Sequence, residues 1–96
     1  MQLMDRFRGC FLGGAVGDAL GMPTEGYTAQ EILSRFGPVR EMMAAPDGHF
    51  HSGLKAGQFT DDTEETLLLA ESLTDSCGFS GERFAERLAS WGSIWT

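Results

Sequence analysis

The chemistry that this sequence most clearly offers lies in a run of oxygen-bearing side chains, Thr60, Asp61, Asp62 and Thr63. Carboxylate and hydroxyl oxygens are the hard ligands that Mg²⁺, Mn²⁺ and Ca²⁺ prefer. Acidic residues also suit a helix start, where free N–H groups and the helix dipole favour negative charge. Spacing alone favours this second role, with Asp61 and Glu64 as a capping box, because such caps are common. On an ideal helix Asp62 shares an apolar stripe with Leu69 and points inward, whereas Asp61 points about 100° away.

A further carboxylate, Asp18, lies on the apolar, glycine-rich face of the first predicted helix, in line with Phe7 and Phe11. A buried carboxylate without a partner costs several kcal/mol, so in this position Asp18 needs a hydrogen-bond donor or a cation. The alternative is that the helix frays and that Asp18 caps the turn that follows. Periodicity alone does not separate these two interpretations.

Two histidines, His49 and His51, alternate in a glycine-bounded loop. An HxH pair can chelate zinc, but the sequence spaces no third or fourth ligand for that metal. We therefore expect two solvated loop histidines. The thiol of Cys10 is expected to face the core and to be inert.

Two helices are predicted before this loop. The first runs from about residue 6 to residue 20, with Asp5 as its N-cap. The second follows a capping box that begins at Thr28, and it ends at Gly37. Residues 39–43 then suit a short extended piece, before the loop of residues 44–58.

Two further helices are predicted after the loop. The third opens at residues 60–65 and ends at Gly78, and Ser80 caps the fourth. The apolar stripe of the fourth helix consists of Phe84, Leu88, Trp91 and Trp95. Because this stripe still runs where the sequence stops, we expect residues 1–96 to be the N-terminal part of a longer all-helical protein, truncated at its C-terminus.

Composition excludes several classes of function. The 96 residues carry a net charge of −7, which argues against sequence-independent binding to nucleic acid or to anionic membranes. We also expect no sequence-specific nucleic-acid partner. No apolar run approaches the roughly 20 residues that span a bilayer. The two cysteines do not make a disulfide framework, so we expect reduced thiols and a cytoplasmic location. The sequence does not indicate an oligomeric state.

Two blocks of this sequence together resemble the ADP-ribosylglycohydrolase family, which includes the glycohydrolase that reactivates dinitrogenase reductase. Residues 8–25 resemble the family's opening helix and read RGCFLGGAVGDALGMPTE. Residues 57–64 resemble the family's first metal-binding motif and read GQFTDDTE. Their order and separation, with a helix and a loop between them, make the resemblance specific.

The resemblance implies an all-α fold with a two-metal centre in an ADP-ribose cleft, with Mg²⁺ as the usual metal and Mn²⁺ as a possible one. Thr60, Asp61 and Asp62 occupy positions that supply metal ligands in the family. Glu25 follows the first helix, where some members place an acidic residue used in catalysis or in gating of the cleft. Asp18 matches the acid of the family's GDALG motif, which implies a structural role or the support of a metal ligand. The family's second metal motif, Asp-x-Asp-Thr/Ser, has no counterpart after Asp62, so we expect the chain to hold half of the metal site. Residues 1–96 would then be the N-terminal part of a single ADP-ribosylglycohydrolase domain.

The predicted function is metal-dependent hydrolysis of the glycosidic bond between ADP-ribose and an acceptor. The acceptor is a protein side chain, a nucleobase or a small molecule, and the partner is the ADP-ribosylated substrate. Activity is expected of the full-length parent protein and not of these 96 residues alone. The alternatives are a non-catalytic relative, like the family's lens crystallin branch, and a plain helical interaction module. The intact ligand positions at residues 60–62 argue against the first alternative.

Overall fold

The structure, a computed structural model, describes residues 2–94 and contains four α-helices and no strand within that range. The helices are α1 (Leu3–Gly21), α2 (Ala29–Phe36), α3 (Asp61–Asp75) and α4 (Gly81–Ser93), with a 3₁₀ turn at Met22–Thr24. The chain forms two compact units, Met1–Thr60 and Asp61–Thr96. The predicted all-α class is therefore confirmed.

Helix α1 begins earlier than the sequence analysis predicts. Its first residue is Leu3, and the cap position falls on Gln2. The backbone N–H of Gln2 donates to Asp5 Oδ2 at 3.3 Å, and the N–H of Asp5 donates to the Gln2 carbonyl at 3.1 Å. The prediction of Asp5 as N-cap is wrong, because this acid lies inside the first turn and accepts from the residue at the cap.

Helix α2 has the predicted ends. Thr28 Oγ1 accepts from the backbone N–H of Glu31 at 3.1 Å, which is the expected N-cap bond. Gly37 closes the helix with a φ of +66°, a conformation that favours glycine. Residues 39–43 do not form a strand, but residues 44–58 form the predicted loop.

The centre of the first unit lies where α1 ends. Ala19, Met22 and Pro23 are buried there, in the last turn of α1 and in the 3₁₀ turn that follows it. The other buried residues among those that the structure describes in this unit are His49 and Thr60.

The second unit is a helical hairpin. Ser80 Oγ accepts from the backbone N–H of Arg83 at 3.2 Å and caps α4 as predicted. The Trp91 indole N–H donates to Glu64 Oε2 of α3 at 2.7 Å. Phe84, Leu88 and Trp91 of the predicted stripe are half-buried, whereas Trp95 lies outside the described residues.

The first turns of α1 expose their apolar face. Phe7 and Phe11 are 52% and 41% exposed, and Cys10 between them is exposed as well. The prediction that Cys10 faces the core is therefore wrong for the part of the chain that the structure describes, since the buried contacts of α1 lie at its other end. None of the described helices is both long enough and apolar enough to cross a bilayer.

Helix α3 ends at Asp75, three residues before the predicted stop at Gly78. The N–H of Gly78 donates to the Leu73 carbonyl at 3.0 Å, and the N–H of Cys77 donates to the Thr74 carbonyl at 3.4 Å. These are the two bonds of a Schellman motif, and they place Cys77 in the left-handed position with a φ of +51°.

Replacing Cys77 with glycine should stabilise the protein by about 1 kcal/mol, because glycine adopts the left-handed conformation without strain. Cys77→Ala is the matched control, since alanine also removes the thiol but keeps the Cβ. Urea unfolding of the two variants measures the difference. A glycine variant that is no more stable than the alanine variant would show that the position carries no strain.

Candidate functional site

Asp18 and Thr60 form a two-pronged contact across 42 positions of the sequence. Asp18 Oδ2 accepts from the backbone N–H of Thr60 at 2.9 Å. Asp18 Oδ1 accepts from Thr60 Oγ1 at 2.7 Å. Thr60 is only 6% exposed, and α1 continues past Asp18 to Gly21. The structure therefore favours the partnered carboxylate over the frayed helix end.

This contact sets the state of the Thr60 hydroxyl. A hydroxyl has one proton and two lone pairs. Because Thr60 donates its hydroxyl proton in the hydrogen bond to Asp18, its Oγ1 can only accept from, or coordinate, any other group. A hydrogen bond to a charged acceptor is also stronger than one between neutral groups. Asp18 thus orients Thr60, the residue that precedes α3 in sequence.

Three carboxylates cluster at the start of α3. One oxygen from each of Asp61, Asp62 and Glu65 lies within 4.8 Å of the others, and Glu65 is half-buried while the two aspartates are exposed. Glu65 is absent from the predicted site, although its spacing of four residues from Asp61 places both on one helix face. The cluster consists of hard oxygen donors of the type that Mg²⁺ and Mn²⁺ bind.

The predicted direction of Asp62 is wrong. Asp62 is exposed, and Leu69, on the same stripe, is 37% exposed. Helical periodicity identifies which residues share a face, but it does not determine whether another element covers that face. The described residues leave this one open to solvent.

The capping interpretation of Asp61 and Glu64 also changes. Helix α3 begins at Asp61 itself, so the cap position falls on Thr60. Glu64 accepts the indole N–H of Trp91 at 2.7 Å and serves the packing of α4 on α3. The two acids therefore do not form the predicted capping box.

Glu25 lies at the end of the 3₁₀ turn, and its side chain is 50% exposed. Its Oε1 is 3.4 Å from His51 Nε2. Its backbone carbonyl accepts from His49 Nε2 at 2.7 Å. Both partners come from the loop of residues 44–58, so the loop is attached to the turn that carries Glu25.

The expectation of two solvated histidines is wrong. His49 is 7% exposed, and its ring stacks on Phe50 at a centroid distance of 4.5 Å. The Nδ1 atom of His49 accepts from the backbone N–H of His51 at 3.0 Å. Because Nδ1 is an acceptor, the proton lies on Nε2, which donates to Glu25. Both ring nitrogens of His49 are thus engaged, which leaves neither for a metal.

The sequence of this chain is similar to those of known proteins over nearly its whole length. The sequence profile of the ADP-ribosylglycohydrolase family matches residues 1–94. The ADP-ribosyl-[dinitrogen reductase] glycohydrolase of Rhodospirillum rubrum is 42% identical over 87 residues, which are 91% of this chain and 28% of that protein. An uncharacterised protein of Archaeoglobus fulgidus is 48% identical over 87 residues, which are 91% of this chain and 27% of that protein.

An enzyme named for an arginine linkage is also similar. The ADP-ribosylarginine hydrolase Tri1 of Pseudomonas putida is 36% identical over 90 residues, which are 94% of this chain and 22% of that protein. The chain thus spans roughly a quarter of the length of the relatives that it matches. With nearly all of its residues matched by the family profile, the chain belongs to the ADP-ribosylglycohydrolase family.

Proposed function

We propose that the whole protein hydrolyses the glycosidic bond between ADP-ribose and an acceptor in a metal-dependent reaction. The observation that carries the proposal is the Thr-Asp-Asp run at residues 60–62 in a chain that the family profile matches over residues 1–94. Two relatives are named as hydrolases of ADP-ribosylated dinitrogen reductase and of ADP-ribosylarginine. These names make an arginine-linked substrate the first acceptor to test, before serine-linked and nucleobase-linked ones.

The donor set fits a hard divalent cation. Asp61, Asp62 and Glu65 bring three carboxylate oxygens within 4.8 Å of one another. Thr60, Asp61 and Asp62 would hold the metal, with Mg²⁺ as the proposed ion and Mn²⁺ as its substitute. Bound there, a divalent cation supplies Lewis acidity towards the ribose hydroxyls and the attacking water.

The reaction needs proton transfer by the protein. Water adds to the anomeric carbon of the ribose through an oxocarbenium-like state, the bond to the acceptor breaks, and the acceptor leaves with a proton. Glu25 is the carboxylate proposed to move that proton, because its side chain is half exposed and its Oε1 lies near His51. Asp18 is proposed to hold Thr60 in place through its two hydrogen bonds.

Two features of the chain favour the hydrolase over the alternative functions. They are the acids within residues 60–62 and the hydrogen bond from Thr60 to Asp18, which neither a non-catalytic relative nor a helical interaction module needs. We also propose a cytoplasmic location, which the two free cysteines, Cys10 and Cys77, support.

Metal-dependent thermal stabilisation tests the proposal without a substrate. A ligand at 100 times its Kd stabilises the folded state by about 2.7 kcal/mol, so Mg²⁺ should raise the Tm of the whole protein by several degrees. Asp61→Asn should remove most of this rise, because it deletes one charge of the cluster.

Glu82→Gln is the matched control, because Glu82 is likewise an acid in the first turn of a helix, α4, but lies outside the cluster. Its variant should respond to Mg²⁺ like the wild type. Equal stabilisation of wild type and Asp61→Asn would contradict the metal assignment.

A further inference from the structure

We propose that His51 is a positioning residue for the carboxylate of Glu25, and that the loop of residues 44–58 holds it in place. The inference rests on the proposed hydrolase function, in which Glu25 moves a proton. His51 Nε2 lies 3.4 Å from Glu25 Oε1, and the His51 side chain is 17% exposed against 50% for Glu25. The better-buried imidazole therefore acts as the fixed partner of the more exposed carboxylate.

His49 ties the backbones of these two residues together. Its Nε2 donates to the Glu25 carbonyl at 2.7 Å, and its Nδ1 accepts from the His51 N–H at 3.0 Å. One buried ring thus joins the main chain at Glu25 to the main chain at His51, although they are 26 positions apart in sequence. A turn bond from the His49 N–H to the Pro46 carbonyl at 3.1 Å fixes His49 in its own loop.

Close packing of Phe50 against Gly26, the residue after Glu25, is a second restraint on the turn that carries Glu25. Gly26 has a φ of +88°, and a Cβ at this position would lie 3.3 Å from Phe50 Cε1. The Phe50 ring therefore packs directly against the backbone next to Glu25. Phe50 also lies against the His51 ring, with a centroid distance of 4.3 Å. The aromatic side chains of the loop thus hold the His51 ring beside the turn.

This arrangement gives the two oxygens of Glu25 different tasks. With its proton on Nε2, His51 donates to Oε1 and fixes the plane of the carboxylate. Oε2 of the same group then exchanges the proton with water or with the leaving acceptor. Fixing a proton-transfer group in this way contributes to turnover and not to substrate affinity.

Substitution of His51 in the whole protein tests the role. His51→Phe keeps the aromatic ring and the backbone N–H but removes the donor, so kcat for ADP-ribose release should fall about tenfold or more. KM and Tm should stay close to those of the wild type. His51→Gln should recover most of the lost kcat, because its side-chain amide can donate to Glu25. Ser52→Ala, an exposed position of the same loop, is the control and should match the wild type.

The outcomes separate this proposal from the function on which it rests. If Glu25→Gln is slow while His51→Phe keeps the wild-type kcat, the positioning role is overturned. It is also overturned if His51→Gln is as slow as His51→Phe at an unchanged Tm.

If the wild type releases no ADP-ribose, the proposed hydrolase function fails. The ¹⁵N resonances of the His51 imidazole then test whether His51 Nε2 is hydrogen-bonded to Glu25. A change of the Nε2 resonance in Glu25→Gln supports the contact, and an unchanged spectrum overturns it.

Discussion

Replacing Asp62 with alanine in the whole protein is expected to slow ADP-ribose release at least about a hundredfold, in line with the several kcal/mol that a catalytic metal supplies. Asp62 belongs to the cluster whose carboxylate oxygens lie within 4.8 Å of one another. Removing one of the three charges weakens cation binding, and the water and the ribose lose the field that orients them. Excess Mg²⁺ should restore part of the rate if the loss is mainly one of affinity.

The matched control for this experiment is Glu82→Ala. Glu82 is an acid in the first turn of α4, as Asp62 is in the first turn of α3, so both variants lose a carboxylate near the positive end of a helix dipole. A purely structural role of Asp62 costs about 1 kcal/mol of stability or less and leaves the turnover of folded protein intact. An Asp62→Ala protein that stays folded and hydrolyses as fast as Glu82→Ala would refute the metal assignment.

Replacing Asp18 with alanine is expected to destabilise the protein by about 3 kcal/mol, since it removes two charge-assisted hydrogen bonds and leaves their donors without this acceptor. Both donors belong to Thr60, which is 6% exposed. Urea unfolding of the whole protein, monitored by circular dichroism, measures the loss of free energy of unfolding. The rate of ADP-ribose release should fall as well, because Asp18 orients a proposed metal ligand.

Thr60→Val separates the two prongs of the Asp18 contact. It removes the hydroxyl bond but keeps the bond from the backbone N–H, so it should cost roughly half as much as Asp18→Ala. The double variant should be less destabilised than the sum of the single variants, because the two residues act on the same interaction. Additive losses within about 0.5 kcal/mol would show that the hydroxyl bond between Thr60 and Asp18 contributes nothing measurable.

Local signals in the sequence predict the helix caps well. Thr28 and Ser80 cap α2 and α4 because the hydroxyl and its backbone partner are three residues apart, which fixes their geometry locally. The start of α1 is misjudged by three residues, because Asp5 can cap either as the boundary residue or from within the first turn. A sequence pattern does not distinguish these two registers.

Contacts between distant residues could not be predicted in the same way. Periodicity places Asp18 on the apolar face of α1, but its partner lies 42 residues away, beyond a long irregular loop. His49 looks like a solvated loop histidine until its bond to the Glu25 carbonyl, 24 residues away, is known. Nothing in the spacing of HxH indicates that one ring serves as a backbone link.

Burial is the other quantity that the pattern leaves open. The sequence identifies an apolar face on α1 and another on α3, yet Cys10 and Asp62 are exposed in the part of the chain that the structure describes. An apolar stripe states which residues an element offers for packing, and the neighbouring elements decide whether they are covered. Family resemblance, by contrast, identifies the family correctly, because it depends on the order and identity of residues rather than on packing. The ligand roles that it implies for residues 60–62 remain a prediction.

Release of free ADP-ribose by the whole protein is the most direct measurement of the proposed function. The whole protein is incubated with ADP-ribose linked to arginine, to serine or to a nucleobase, in the presence of Mg²⁺ or Mn²⁺. A chelator is then added, and the metal is afterwards restored. We expect release from at least one substrate, loss of release with the chelator, and recovery with Mg²⁺. No release from any substrate in the presence of either metal, or release that the chelator leaves unchanged, would contradict a metal-dependent ADP-ribosylglycohydrolase.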